Sequence, residues 1–200
     1  NTLFANGKIT ASWFEIGSNN IAGNIQGVDY FPASDHLYCL SDGGTLWRSP
    51  RTTPNWVVLN QQYQFSPRLI NVMAKLGGGT KIITSADKNV YYSDDEGRNF
   101  NAATGFNFPV AWGDNAITDI ISLYDVQKTV YCLTRVWDPG PWAPRFWLYR
   151  SIDTAKTFTR IKIFDAGSID RLSLWSPDKS DKLFAMEVQN TGGNFVKLYG

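Results

Sequence analysis

Tyr91-Tyr92-Ser93-Asp94-Asp95-Glu96-Gly97-Arg98-Asn99-Phe100 is the stretch whose reading decides the fold. It predicts an aromatic strand, a tight turn built on Asp95 and Gly97, and an aromatic at the start of a second strand. An Asp side chain accepts hydrogen bonds from backbone N–H groups just after it and so pins a turn. A Gly two residues later supplies a positive φ at little steric cost. The phrase returns as Leu148-Tyr149-Arg150-Ser151-Ile152-Asp153-Thr154-Ala155-Lys156-Thr157-Phe158, with Ser, Asp and the closing Phe at the same offsets. A worn third copy, Leu46-Trp47-Arg48-Ser49-Pro50-Arg51-Thr52-Thr53-Pro54-Asn55-Trp56, keeps Ser49 and Trp56 but has Arg51 where Asp belongs.

This phrase resembles the Asp-box, or BNR repeat, with the pattern Ser-x-Asp-x-Gly-x-Thr-Trp/Phe. That repeat occurs in sialidases, sortilin-like propellers, family 74 xyloglucanases and many secreted bacterial propellers. Residues 93–100 match it with Asn99 in place of Thr, and residues 151–158 depart from it at Ala155, where the turn must manage without Gly. The resemblance implies an all-β fold, a β-propeller of four-stranded antiparallel blades. It gives Ser93, Asp95, Gly97, Phe100, Ser151, Asp153, Thr157, Phe158, Ser49 and Trp56 structural roles at the blade periphery rather than in an active site.

The repeat spacing agrees with that architecture. Box serines at 49, 93 and 151 lie 44 and 58 residues apart, and a propeller repeat runs about 40–50 residues. The longer interval is expected from an insertion at residues 136–145. Blades are expected at 24–60, 67–103, 115–163 and 167–200, with residues 11–17 (Trp13-Phe14-Glu15-Ile16) as a closing outer strand. Three blades and most of a fourth give a partial ring, so the chain is expected to be part of a longer protein.

Composition narrows the function. The 200 residues carry 19 Lys plus Arg against 18 Asp plus Glu, a net charge of +1 without runs of one sign. That argues against nucleic acid and anionic membrane surfaces, and no apolar stretch approaches the roughly 20 residues needed to span a bilayer. Eight Trp and abundant small polar residues lean towards a secreted or cell-surface protein. Cys39 and Cys132 sit in near-identical strand contexts, which predicts buried free thiols in separate blades. His36 is the only histidine. A Cys/His metal site and a His-dependent triad are therefore not expected, and neither is a cofactor.

In a four-stranded blade, the turns joining second to third strands and the links between blades share one face, and the boxes lie on the other. The non-box face is expected to carry Phe108, Trp112, Trp137, Trp142 and Arg145. Rigid aromatics make good anchors for a sugar face or a protein partner; the same rings could instead plug the ring mouth. The expected function is a non-catalytic module that binds a protein or polysaccharide there. The alternative is a glycoside hydrolase, xyloglucanase-like before sialidase-like. Ser41-Asp42-Gly43-Gly44 resembles the Thr-Asp-Ile-Gly-Gly turn of family 74 glycosidases, which would make Asp42 catalytic. Such chemistry needs a second carboxylate, expected outside this chain, and Asp-Gly-Gly is also a plain hairpin signal.

Overall fold

The computed structural model describes residues 24–61, 67–108, 115–140, 143–164, 169–190 and 194–199. Among these, strands dominate and helix is limited to two short 3-10 turns, Pro32–Ser34 and Pro177–Lys179. The first sheet runs β1 (Ile25–Phe31), β2 (His36–Ser41), β3 (Leu46–Pro50) and β4 (Val57–Asn60) in that spatial order. The second repeats the order with β5 (Leu69–Ala74), β6 (Thr80–Ala86), β7 (Asn89–Ser93) and β8 (Asn101–Ala102). The third holds β9 (Ala116–Ser122), β10 (Val130–Asp138), β11 (Ala143–Ser151) and β12 (Thr159–Phe164). A fourth, three-stranded sheet holds β13 (Ile169–Trp175), β14 (Phe184–Asn190) and β15 (Asn194–Tyr199). Every pairing within the sheets is antiparallel between sequence neighbours.

The first strands stand side by side: β1 packs on β5, β5 on β9 and β9 on β13. Between successive sheets lies an apolar layer. Phe31, Tyr38, Leu40 and Leu46 meet Ile70, Val72 and Ile82 between the first and second sheets. Met73, Ile83 and Val90 meet Ile117, Val130 and Tyr149 between the second and third. Leu133, Phe146 and Leu148 meet Leu172, Leu174 and Ala185 between the third and fourth. A strand buried on both faces has no polar face to show, and all seven residues of β6 are buried. The outermost β12 reads the other way, with five of its six residues exposed. The described residues are all-β, a partial propeller of three consecutive four-stranded blades and a three-stranded one.

A single carboxylate sits in each of two inner strands and clips that strand to the next sheet. Asp29 Oδ2 accepts the backbone N–H of Val72 at 2.6 Å, and Asp119 Oδ2 accepts that of Leu174 at 2.8 Å. Lys179, in the turn after β13, reaches back to the first sheet, its ammonium 2.6 Å from Asp29 Oδ2 and 3.2 Å from the Val72 carbonyl. The arc therefore curves far enough for its fourth sheet to touch its first two.

Two expectations change. Residues 136–145 are not a separate inserted loop: β10 and β11 stay paired out to Asp138↔Ala143 as one long hairpin. Where the described pairing ends, Asp138 makes an ion pair with Arg145 at 3.4 Å and accepts the Gly140 N–H on Oδ1 at 3.0 Å. The outer strand of the second sheet is only two residues long, because the chain leaves the sheet just after Ala103, whose N–H still donates to the Val90 carbonyl at 2.8 Å, to reach the third. The expected strand at 11–17 lies outside the described residues.

Candidate functional site

The two turns that share the Ser-x-Asp phrase share their hydrogen bonds. Ser93 donates to Asp95 Oδ1 at 2.7 Å and accepts from the Gly97 N–H at 2.8 Å, and Asp95 Oδ1 accepts the Asn99 N–H at 2.9 Å. Ser151 donates to Asp153 Oδ1 at 2.6 Å and accepts from the Ala155 N–H at 3.0 Å, and Asp153 Oδ1 accepts the Thr157 N–H at 2.9 Å. Burial pushes each carboxyl up, but these bonds outweigh it and hold both below the usual carboxylate range. Gly97 stands at φ +89° and Ala155 at φ +67°, so the second turn holds a methyl in left-handed backbone. In the worn copy Ser49 still accepts the Asn55 N–H at 2.7 Å, and Arg51 pairs with Asp35 at 2.7 Å. The closing aromatics differ in burial: Phe158 is buried, Phe100 half-buried and Trp56 exposed.

Each turn sits on the end of the preceding sheet's outer strand. Asn60, last in β4, donates to the Gly97 carbonyl at 2.6 Å. After β8, the Thr104 N–H donates to the Lys156 carbonyl at 2.9 Å and the Phe158 N–H to the Thr104 carbonyl at 2.8 Å. The strict division into a box face and a loop face therefore fails at the rim. Sheets twist, and the outer edge of one blade swings to the box end of the next. The interblade link at 104–108 lies against the third-sheet turn instead of across the molecule from it.

That link separates two recesses. Its side chains alternate as in any extended segment. Phe106 and Phe108 stack on one side, centroids 6.2 Å apart and planes 14° apart, in a groove of about 320 Å³ shared with Lys88, Asn89 and Thr104. Asn107 falls on the other side, in a groove of about 390 Å³ with Tyr149, Phe158, Thr159 and Arg160. Phe106 also lies 4.9 Å from both Tyr149 and Phe158, centroid to centroid, so the groove floor is part of the core. Arg160 lies over the Trp147 ring at 4.3 Å. Gly105 lines both grooves. It has φ +96°, and a Cβ there would stand 1.9 Å from the Phe158 carbonyl oxygen.

The sequence-nominated binding residues divide. Phe108 lines a groove and stacks on Phe106. Trp137 is half-buried near the tip of the long hairpin, paired with Pro144, and its backbone N–H donates to Asn115 Oδ1 at 3.0 Å. Arg145 is turned inward to Asp138. Trp112 and Trp142 lie outside the described residues. Lys88, Phe106, Asn107 and Arg160 were not singled out by sequence; the signal for Phe106 was its period-two spacing from Phe108.

Asp42 is exposed, in a turn closed by backbone bonds: Ser41 N–H to Thr45 O at 3.0 Å and Gly44 N–H to Ser41 O at 3.0 Å. Thr45 N–H adds a 3.2 Å bond to Ser41 Oγ. This is how a hairpin turn is built. Both cysteines are free, and burial raises both thiols, that of Cys132 well above its ordinary value. Among the described residues no group of His, Cys, Asp and Glu is arranged to hold a metal ion.

No family model matches the sequence, and no curated protein is significantly similar to it. Among solved structures the chain is similar to an endo-1,4-beta-xylanase from Bacteroides thetaiotaomicron VPI-5482, at 14% identity over 86% of this chain and 66% of that one, TM-score 0.45. It is similar to YCF48 bound to D1 peptide, at 14% identity over 87% of this chain and 66% of that one, TM-score 0.37. It is also similar to YCF48 from Cyanidioschyzon merolae, at 13% identity over 82% and 69%, TM-score 0.37. The chain spans just under two thirds of the length of the first two.

Proposed function

We propose that this chain is a non-catalytic propeller module of the Asp-box type, secreted or displayed on a cell surface, that binds a protein or polysaccharide partner. The binding surface is formed by the second-to-third-strand turns and the links between blades. The observation that carries this is the pair of grooves flanking residues 104–108, which join an aromatic floor, half-buried at Phe106 and Phe108 and buried at Tyr149 and Phe158, to mostly exposed polar side chains. Aromatic floors exclude water around a contact, and polar groups at their edge set orientation. The shared Ser–Asp hydrogen bonds of the two turns support the Asp-box assignment.

The hydrolase reading rests on Asp42 alone, and its turn is accounted for by backbone bonding. The test is binding of the purified protein to immobilised polysaccharides and peptides, comparing Phe108→Ala and Asp42→Asn, with a melting curve for each variant. Phe108→Ala is expected to weaken binding at least tenfold, since truncating a central aromatic anchor costs about 2 kcal/mol or more. Asp42→Asn is expected to leave it unchanged. A folded Phe108→Ala variant that binds as tightly as the parent would remove this surface from consideration.

A further inference from the structure

A larger recess, of about 550 Å³, lies between the third and fourth sheets and is lined by Thr118, Arg135, Phe146, Arg171, Leu172 and Ser173. These residues sit near the starts of β9, β11 and β13 and the end of β10, so the recess is at the end of the blade opposite the Ser151 turn. Residues directly opposite each other in an antiparallel pair share a face. Arg135 is opposite Phe146, which belongs to the apolar layer facing the fourth sheet, so the arginine stem is carried to the same side. The strand register shifts beside Thr118 on β9 and ahead of Arg171 on β13. Such bulges bend a strand and re-aim its side chains, and the recess lies between these two.

Two guanidiniums line this one recess, and among the described residues no Asp or Glu does. Arg135 also interacts within the fold, and the five N–H donors of a guanidinium exceed what one contact uses. The Thr118 hydroxyl donates to the Leu133 carbonyl at 3.3 Å, so the Ser173 hydroxyl is the one that can donate to a ligand. A guanidinium fork matches a carboxylate with two parallel bonds, and two cations lining a concave site draw an anion to it. Phe146 and Leu172 are only 4% and 3% exposed. They form an apolar wall without an open ring face, so a sugar ring has nothing to stack on, while the methylenes of an acidic side chain have a surface to lie against. We infer that this recess receives a Glu or Asp side chain from an acidic peptide segment of a partner protein. The recess shares no lining residue with the grooves beside residues 104–108 and stands without them.

The experiment is fluorescence anisotropy on the purified protein with a fluorescein-labelled hexaglutamate peptide. Hexaglutamine is the uncharged control, and a heparin hexasaccharide supplies negative charge on a sugar. Hexaglutamate is expected to bind and hexaglutamine not to. Arg135→Gln and Arg171→Gln are each expected to weaken hexaglutamate about tenfold, the scale of one hydrogen bond to a charged group. Arg171 is exposed, so its variant is expected to keep the parent's melting curve and carries the test if Arg135→Gln does not fold. Lys88→Gln and Arg160→Gln each remove one positive charge elsewhere and are expected to leave binding unchanged. Equal losses in all the variants would show attraction to net charge alone and overturn the site. Hexaglutamate binding that ignores Arg171→Gln, or no binding at all, would overturn it too. Heparin binding tighter than hexaglutamate, and lost in Arg171→Gln, would overturn the peptide assignment in favour of a sulfated polysaccharide. The proposed function is read separately, by Phe108→Ala in the wider screen, and survives each of these outcomes.

Discussion

The turn at 93–100 and the turn at 151–158 make the same hydrogen bonds from different materials. The first uses Gly97 for the second of its two left-handed residues, after Glu96, and stands near the surface, with Phe100 only half-buried. The second holds Ala155 in the same region of backbone space, with that methyl and Phe158 both buried in the layer between the second and third sheets. Left-handed backbone costs an Ala about 1 kcal/mol, and burying one methyl group offsets about 0.8 kcal/mol of it. The strain is tolerated because the turn is clamped from below by residues 104 and 105 and from the side by the core. The difference teaches that the phrase is a local device whose tolerance for a wrong residue is set by its seat.

Lys81 couples the two turns. Its side chain is fully buried, 3.2 Å from Asp94 in one and 3.1 Å from Thr154 Oγ1 in the other, and its ammonium lies 4.3 Å from the Tyr92 ring centroid. Burial is the main influence on this lysine and lowers its pKa, opposed by Asp94.

The comparison breaks most readily at the seat. Gly105→Ala puts a methyl into the Phe158 carbonyl and is expected to cost about 3 kcal/mol or more, read as a fall in the urea midpoint. A variant as stable as the parent would show that the link does not bear on the third-sheet turn. Removing the pinning carboxylate comes next. Asp153→Ala is expected to cost about 2 kcal/mol, since the turn it pins carries the buried Phe158, and Asp95→Ala about 1 kcal/mol, since Phe100 is only half-buried; both changes leave solvent-exposed N–H groups without their acceptor. Equal costs would mean that the seat adds nothing.

The left-handed residues sharpen the same contrast. Gly97→Ala is expected to destabilise by about 1 kcal/mol. Ala155→Gly is expected to change stability by less than about 0.5 kcal/mol, strain relief being offset by the lost methyl and by the greater freedom of unfolded glycine. A gain of more than about 1 kcal/mol in thermal unfolding would mean the alanine is tolerated without support from its surroundings.

The smallest effect is in the acid limb of stability. Asp95 and Asp153 titrate lower folded than unfolded, so the stability they add is present above the ordinary value of 3.8 and is lost as pH falls through their folded values. Asp119 has the opposite sign, because burial raises its pKa despite the Leu174 and Ile120 amides. Its contribution is present in acid and is lost as pH rises through the folded value. Asp153→Asn should flatten the acid limb below pH about 4, and Asp119→Asn should raise stability slightly near neutrality. Stability measured against pH by denaturant titration checks both signs.

Much of the fold was legible in residues 41–60, 80–102 and 130–164, where strand, turn and strand alternate with Ser, Asp and a closing aromatic in fixed places. The candidate site was legible only at Phe108. Lys88 and Arg160 looked like ordinary surface charges, and Arg145 looked like a ligand-binding charge until Asp138 was found beside it. Asp29 and Asp119 left a trace that could have been read: each is a lone carboxylate in an otherwise uncharged inner strand, and such a position keeps a carboxylate only if something donates to it.

The sequence by itself determined the repeating unit and its turns, because a serine, an aspartate and a left-handed residue settle their hydrogen bonds within a few residues of one another. Only the tertiary structure decided which unit leans on which. Sheet twist carries the end of β8 onto the next sheet's turn, sets Gly105 against Phe158, and opens the two grooves on either side of it. Those contacts join residues some fifty positions apart and depend on how much each strand turns along its length. That quantity is fixed by packing across the whole layer and is written in no single stretch of the chain.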